Sequence, residues 1–432
     1  MELSWLETGA RSIVTRFLRQ FITTGCLILL EDEGMTFTFE GTKRKSSLKV
    51  SLRVHSPKFY WKVAKESDLG FADAYINGDF SFVDKDEGLV TLFMIYLTNM
   101  ELNTYTSKLN KRRGWWTPLI FTSVIGCGKY YLKHLLRRNT LSQARRNISS
   151  HYDLSNEFFS LFLDEFEGED LKIAQLRKIY KLIDKARINK EHHVLEIGFG
   201  WGSTAIEIVK KTGCKYTGIT LSEKQLQYAE LKVKEAGLQD HINFILCDYR
   251  QLPNTYKYDR IISCEVIECV GDEFVEDFFR CCDSVLAENG LLVIQTTYIT
   301  DHKYDEFRLS HGFIIEYIFP GGTLFSLNRV INKLLSIIIY ILYSVVHLEE
   351  IGRHYYQTLR IWLENLHKNQ NEILALGFDA KFIRMFEYYF DYCASGFKMR
   401  TLGSYQIVFN RPGDVAIFGD PYESTMYLEA DA

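Results

Sequence analysis

The stretch His193–Gly202, with the sequence HVLEIGFGWG, decides the fold of this chain. A short apolar strand leads directly into three glycines at every second position, Gly198, Gly200 and Gly202. Glycine lets a chain turn sharply out of a strand and leaves room for a ligand against the main chain. The amphipathic stretch Ser203–Lys211 follows at once. These features predict the first strand–turn–helix unit of a nucleotide-type α/β sheet.

Further strands are predicted after the glycine loop, and their spacing implies a parallel sheet with right-handed crossovers. They are Lys215–Thr220, Ile242–Cys247, Tyr258–Cys264 and Gly290–Gln295. Tyr405–Phe409 is predicted to be the last strand, at the edge of the sheet. The predicted fold class is therefore α/β, with a mostly parallel sheet.

The glycine loop differs from the common phosphate-binding patterns. Ser203 stands where the dinucleotide fingerprint G-x-G-x-x-G has its last glycine, and the chain contains no P-loop pattern. A dehydrogenase usually carries an acid after the second strand to bind ribose. This chain has Thr220 and Gln225 there, whose hydroxyl and amide groups suit the same hydrogen bonds. Asp248 and Tyr249 follow the third strand, where an acid suits an adenine amino group and a ring lies beside the base.

In this order, the loop and the two residue pairs resemble a class I S-adenosylmethionine-dependent methyltransferase. Four further stretches resemble the cyclopropane-fatty-acyl-phospholipid synthase family, and its plant-type members most closely. These are His151–Phe159 (HYDLSNEFF), Glu268–Gly271 (ECVG), Glu316–Gly322 (EYIFPGG) and Phe386–Ala394 (FEYYFDYCA). Because Phe71–Phe80 resembles the family's lipid-domain segment, the likeness covers nearly the whole chain. The implied fold is a Rossmann-like methyltransferase, with an antiparallel edge hairpin, plus a small N-terminal α+β lipid-binding-type domain.

The resemblance implies methyl transfer from S-adenosylmethionine to the double bond of unsaturated phospholipid acyl chains, forming cyclopropane fatty acids. In this family the alkene attacks the sulfonium methyl group, and loss of a proton from the resulting carbocation closes the ring. Tyr388 and Tyr389 match the family's tyrosine pair, and electron-rich ring faces stabilise a cation. The family's base is a bound bicarbonate with a glutamate among its ligands, and Glu268 matches that glutamate.

The resemblance also assigns cofactor positions. The cofactor loop matches Gly198, Gly200 and Gly202, the ribose contacts match Thr220 and Gln225, and the adenine end matches Asp248 and Tyr249. His192 and His193 have no partner at the spacing of metal ligands, so we predict no metal site.

Several positions depart from the family pattern. After Phe162–Glu165 the chain passes directly to Phe166–Asp170, where the family has a further stretch containing Y-S-C-A. That stretch supplies cofactor contacts and a cysteine beside the bicarbonate. In addition, Phe199 stands where the family commonly has cysteine, and Cys269 where alanine or histidine is common. Two alternatives therefore stay open: a catalytically impaired paralogue that binds lipid or a partner, and a methyltransferase of small amines or phenols.

The composition limits which partners and which cellular location the chain is expected to have. The chain has 432 residues and a net charge of −4, so a nucleic-acid partner has no global electrostatic support. Its nine scattered cysteines, without a recognisable signal peptide, predict reduced thiols and a cytoplasmic location. A homodimer is left open.

The chain divides into a predicted N-terminal α+β domain (1–105), a basic and aromatic connector (106–150), a methyltransferase domain (151–412) and a tail (413–432). A helical lid insertion is predicted at about 299–350 within the methyltransferase domain. Aromatic residues between basic ends in Trp115–Leu136 favour a phospholipid membrane surface, and hence peripheral membrane association. The apolar run Leu334–Val346 fits a buried or interfacial helix.

Overall fold

The computed structural model describes residues 4–31, 34–109, 139–152, 156–163, 169–309, 312–336 and 343–411. Its α-helices are α1 (Trp5–Phe21), α2 (Lys58–Glu66), α3 (Asp68–Ile76), α4 (Gly88–Leu109), α5 (Leu141–Tyr152), α6 (Asn156–Leu163), α7 (Glu169–Ala186), α8 (Ser203–Thr212), α9 (Glu223–Glu235), α10 (Val275–Val285), α11 (Asp301–Leu309), α12 (Leu327–Ser336), α13 (Tyr355–Lys368), α14 (Gln370–Ala375) and α15 (Ala380–Lys398). Its strands are β1 (Thr24–Glu31), β2 (Thr36–Glu40), β3 (Arg44–Val54), β4 (Phe80–Phe82), β5 (His193–Ile197), β6 (Lys215–Thr220), β7 (Ile242–Leu246), β8 (Tyr258–Cys264), β9 (Leu286–Ile299), β10 (Ser344–Glu350) and β11 (Leu402–Asn410).

The N-terminal part is a small α+β unit. Its sheet has the order β2-β1-β3-β4, in which β1 and β3 run parallel and the other pairs antiparallel. Helix α1 begins at a capping box, in which the Ser4 side chain accepts from the Glu7 amide and the Glu7 carboxylate accepts from the Ser4 amide. Polar and apolar residues alternate along β2 and along the second half of β3, whereas β1 contains the continuous apolar run Cys26–Leu30.

The large sheet confirms the predicted α/β fold. Its strands lie in the order β10-β11-β9-β8-β5-β6-β7. The five strands from β9 to β7 are parallel, whereas β11 runs antiparallel to both β9 and β10. The prediction that Tyr405–Phe409 forms the edge strand was wrong, since β11 lies between β9 and β10. Burial on both faces explains the continuous apolar run Ile407–Phe409, because a strand covered on both faces needs no polar face.

The helical lid predicted at about 299–350 is helical only in part. It contains α11, one π-helical turn at Ile314–Ile318, and α12. The last seven residues, Ser344–Glu350, form the edge strand β10, on which Val345 and Leu348 are exposed. The apolar run Leu334–Val346 is therefore not one helix, because its end pairs with β11.

The N-terminal unit and the methyltransferase part share a hydrophobic core. Phe313, Ile318 and Tyr388 are buried in the same cluster as the N-terminal sheet and its helices. A hydrogen bond from the Tyr75 hydroxyl to the Glu387 carboxylate (2.9 Å) also joins the two parts. The connector segment Trp115–Leu136 and the residues after Arg411 lie outside the described residues. Of the helices that the structure describes, none is long and apolar enough to cross a membrane.

Candidate active site

The glycine loop lies at the carboxyl end of β5, between that strand and α8. Gly198, Gly200 and Gly202 all have positive φ angles, of 81°, 56° and 86°. A Cβ atom on Gly198 would lie 2.3 Å from Cγ2 of Val266, whereas one on Gly200 would have no neighbouring atom within 4 Å. Among the described residues, the main chain at Gly200 therefore borders open space, as a loop that receives a ligand requires.

Thr220 and Gln225 come together at the end of β6. The Thr220 hydroxyl donates to Oε1 of Gln225 (3.2 Å), and both side chains are about 5% exposed. Ser222 caps α9 by accepting the Gln225 amide (3.1 Å), which fixes the start of that helix. The predicted ribose pair is thus held in place at the same sheet edge as the glycine loop.

Asp248 and Tyr249 follow β7 at this edge, and Arg250 forms an ion pair with the Asp248 carboxylate. Arg250 donates to Asp248 through Nε (2.8 Å) and Nη2 (2.7 Å), which forms a bidentate ion pair. The sequence analysis did not identify this role of Arg250. Tyr249 is buried against Phe278, and burial raises the pKa of its hydroxyl. Asp248 therefore makes its strongest contacts with its own neighbour, two residues along the chain.

Glu268 lies one short turn beyond β8, under the segment Phe319–Thr323. The Thr323 amide donates to the Glu268 carbonyl (2.8 Å), which fastens that segment over the acid. Oε1 of Glu268 accepts from the Thr296 hydroxyl (3.1 Å) and from the Thr297 amide at the end of β9. Its other oxygen, Oε2, is buried and has no hydrogen-bond partner among the described residues. Burial, followed by the charge of Glu265, raises the pKa of Glu268 to about 8.

Glu265 is a site residue that the sequence analysis did not assign. Its Oε1 accepts from Nε2 of Gln295 (3.0 Å) and from the Tyr355 hydroxyl. The same Gln295 nitrogen donates to the Tyr355 oxygen (2.9 Å), so the three side chains form a closed triangle. The only sequence signal was a glutamine at the end of the otherwise apolar stretch Gly290–Gln295.

Tyr388 and Tyr389 face different surroundings, because successive side chains on a helix point about 100° apart. Tyr388 is fully buried among rings of the shared core, with Phe313 at 4.5 Å and Phe93 at 5.1 Å between centroids. Tyr389 is half-buried and packs edge-on against Phe319 at 6.0 Å. The structure therefore brings Tyr389 next to the segment that covers Glu268, and directs Tyr388 towards the N-terminal unit.

Part of the family-like stretch before the sheet also reaches the glycine loop. The Trp201 indole donates to Oδ1 of Asn156 (3.1 Å), and its ring lies 5.1 Å from that of Phe159. Residues 153–155 of this stretch and residues 164–168, next to the departure from the family pattern, lie outside the described residues. Phe199 stacks on Phe244 at 4.1 Å, beneath the loop.

Comparison with known proteins identifies the family. The model of the mycolic acid cyclopropane synthetase family matches residues 139–407, which is more than half of the chain. This chain belongs to that family. Its fold is that of the class I S-adenosylmethionine-dependent methyltransferases, and the protein is an S-adenosylmethionine-dependent methyltransferase.

Two curated relatives cover most of the chain, and a solved structure covers about three fifths of it. The tuberculostearic acid methyltransferase UfaA1 of Mycobacterium tuberculosis is 29% identical, over 94% of this chain and 93% of its own length. The cyclopropane-fatty-acyl-phospholipid synthase of Escherichia coli is 26% identical, over 86% of this chain and 90% of its own. The crystal structure of mycolic acid cyclopropane synthase CmaA1, complexed with S-adenosylhomocysteine (SAH), has a TM-score of 0.54 and 26% identity, over 62% of this chain and 98% of its own.

Proposed function

We propose that this family member transfers the methyl group of S-adenosylmethionine to the double bond of unsaturated phospholipid acyl chains, forming cyclopropane fatty acids. The observation that carries the proposal is the position of Glu268, which lies at the sheet edge of the glycine loop and is covered by the Phe319–Thr323 segment. An acid beneath an aromatic cover supports the proposal, because an apolar substrate needs an apolar cover and a proton-releasing reaction needs a nearby base.

The residues fit S-adenosylmethionine. Gly200 leaves open space where a Cβ atom would stand, and Thr220 and Gln225 present a hydroxyl and an amide at the neighbouring strand. We propose that the glycine loop and this pair hold the cofactor, with Asp248 and Tyr249 at its adenine end. When bound, S-adenosylmethionine supplies a methyl group on a positively charged sulfur. We propose that the ring of Tyr389, next to Phe319, supplies the electron-rich face that a carbocation needs.

Bicarbonate fits the described residues less well. An anion needs hydrogen-bond donors, and four donors at this edge of the sheet already serve the protein's own carboxylates. The Thr296 hydroxyl and Thr297 amide donate to Glu268, while Gln295 and the Tyr355 hydroxyl donate to Glu265. Oε2 of Glu268 is buried without a partner among the described residues, and an ionised carboxylate oxygen accepts hydrogen bonds but donates none to an anion. We therefore derive no step through bicarbonate.

A membrane surface is the proposed source of the acyl chain. On α1, Trp5 is 87% exposed and Leu6 54%, and the exposed Arg16 and Arg19 lie on the same helix. A helix that exposes large apolar side chains at one end and basic side chains towards the other suits the headgroup layer of an anionic membrane. The homodimer stays a prediction, which sedimentation of the purified chain would check.

The test is product analysis. The purified chain is incubated with S-adenosylmethionine and vesicles of dioleoyl phosphatidylglycerol, and the fatty esters are separated by chromatography. We expect cyclopropane esters to accumulate with time. Catechol and a soluble amine serve as control acceptors. Methylation of those acceptors alone, or cofactor binding without any turnover, would contradict the proposal and favour the two alternatives that the sequence left open.

A further inference from the structure

Glu265 adopts an unusual backbone conformation at the carboxyl edge of the sheet. It directly follows β8 and has a φ of 56°, in the left-handed region that side chains other than glycine rarely adopt. Such conformations cost about 1–3 kcal/mol and persist only where the surroundings enforce them. Here the Glu265 amide donates to the Gln295 carbonyl (2.8 Å), and the side chain is held by Gln295 and Tyr355.

Within the described residues, one oxygen of the Glu265 carboxylate accepts hydrogen bonds and the other does not. Oε1 accepts both hydrogen bonds, whereas Oε2 makes none within the part of the chain that the structure describes. The residue is exposed at the site, and Glu268 lies one short turn further along. Consecutive residues of β9 hydrogen-bond to the two carboxylates. Gln295 donates to Glu265, whereas Thr296 and Thr297 donate to Glu268.

A chain of hydrogen bonds across the sheet fixes the orientation of Gln295. Nζ of Lys185 on α7 donates to Oε1 of Gln406, whose Nε2 donates to Oε1 of Gln295 (2.9 Å). Gln295 and Gln406 are register partners on β9 and β11, and each is only 1% exposed. Because an ammonium group can only donate, each amide along this chain must turn its NH₂ group towards Glu265. Lys185 thus sets the donor that reaches Glu265.

We propose that Glu265 is the proton acceptor of the reaction, and that Gln295, Gln406 and Lys185 are positioning residues that hold its carboxylate. The inference rests on the proposed function. It gives the protein a base of its own in place of bicarbonate, which agrees with the donors being taken up by the two glutamates.

Proton transfer to Glu265 closes the ring. The alkene has formed a bond to the transferred methyl carbon, which leaves a carbocation on the acyl chain and neutral S-adenosylhomocysteine. A C–H bond of that methyl group then breaks, and its electron pair forms the third bond of the ring. The proton passes to Oε2 of Glu265 and afterwards to water. No oxidant or reductant is needed.

The test is chemical rescue of Glu265→Gly in the full chain. Glycine suits the φ of 56° and removes the carboxylate, so the variant is expected to fold and to bind S-adenosylhomocysteine with unchanged affinity. In carbon dioxide-free buffer its turnover should fall about 100-fold or more. Added formate or bicarbonate should restore at least part of the lost turnover. The unaltered chain should turn over equally with and without bicarbonate.

Ser67→Gly is the matched control, because Ser67 also has a positive φ, of 53°, and lies exposed in the N-terminal unit. It should keep full turnover.

The inference would be overturned by loss of turnover of the unaltered chain when bicarbonate is removed, by undiminished turnover of Glu265→Gly, or by failure of both anions to rescue that variant. A rise in KM for S-adenosylmethionine at unchanged kcat would also overturn it, since Glu265 would then bind the cofactor. If the unaltered chain methylates no lipid in any buffer, the proposed function itself fails.

Discussion

Alanine substitutions at two glycines can distinguish the energetic cost of backbone strain from the loss of cofactor binding. Gly200 and Gly213 both have positive φ, and neither has an atom within 4 Å of a built Cβ. Alanine at either position should cost about 1–2 kcal/mol of stability. Only Gly200→Ala should weaken binding of S-adenosylmethionine, by about tenfold or more, because Gly213 ends α8 away from the loop. Calorimetric titration of both variants checks this, and equal affinities would contradict the assigned cofactor loop.

Glu196 gives the folded protein a pH dependence of known sign. Burial raises its pKa to about 7, and the Tyr216 hydroxyl that donates to Oε2 (2.6 Å) offsets part of the rise. Because the pKa of Glu196 is higher in the folded protein than in the unfolded chain, its contribution to the free energy of unfolding is greatest below the pKa of the unfolded chain. That contribution falls as the pH rises to about 7. We therefore compare the unfolding free energy of Glu196→Gln with that of the unaltered chain at two pH values. Between pH 4 and pH 8 the difference should shift by about 1–3 kcal/mol in favour of Glu196→Gln. Denaturant unfolding at the two pH values measures this, and a pH-independent difference would refute it.

At the scale of elements, α15 carries two tyrosines with separable roles. Tyr388→Ala removes a fully buried ring from the shared core and should cost about 3–5 kcal/mol. Tyr389→Leu keeps an apolar side chain next to Phe319 but removes the electron-rich face, so turnover should fall about tenfold. Thermal unfolding and initial rates distinguish the two variants. A turnover loss for Tyr389→Leu that only matches a loss of stability would contradict its role beside the cation.

The hydrogen-bond chain across β9 and β11 predicts an effect at a distance. Gln406→Leu should lower kcat about tenfold or more, while KM for both substrates stays the same, because Gln295 loses the partner that orients it. Asn365→Leu removes another buried amide, on α13, and serves as the control. Unchanged kcat in Gln406→Leu, or an equal loss in Asn365→Leu, would rule out a positioning role for Gln406.

The elements of the large sheet were predictable where one local pattern decided them. The glycine loop fixed β5 and α8, and short apolar runs located the other parallel strands. The order of β10 and β11 was not predictable, because Ser344–Glu350 lacks alternation and continues an apolar run from α12. Its strand conformation comes from pairing with β11, about 60 residues further along the chain.

At the scale of the whole molecule, the site combines predicted and unpredicted residues. The glycine loop, Thr220 with Gln225, and Glu268 lie at one edge of the sheet, as the order of strands and loops indicated. The triangle of Glu265, Gln295 and Tyr355 joins residues 30 and 60 or more positions apart, so no local pattern reveals it. It depends on the antiparallel return of β11 and on the start of α13.

The central claim, methyl transfer to an acyl double bond, is tested most directly with S-adenosylmethionine carrying a trideuterated methyl group. The full chain is incubated with dioleoyl phosphatidylglycerol vesicles, and the acyl products are analysed by mass spectrometry. We predict a ring that retains two of the three deuterons, because the third is the proton that the base removes. Lipid that carries no deuterium while cofactor binding is intact would contradict the account, and a product that retains all three deuterons would exclude ring closure.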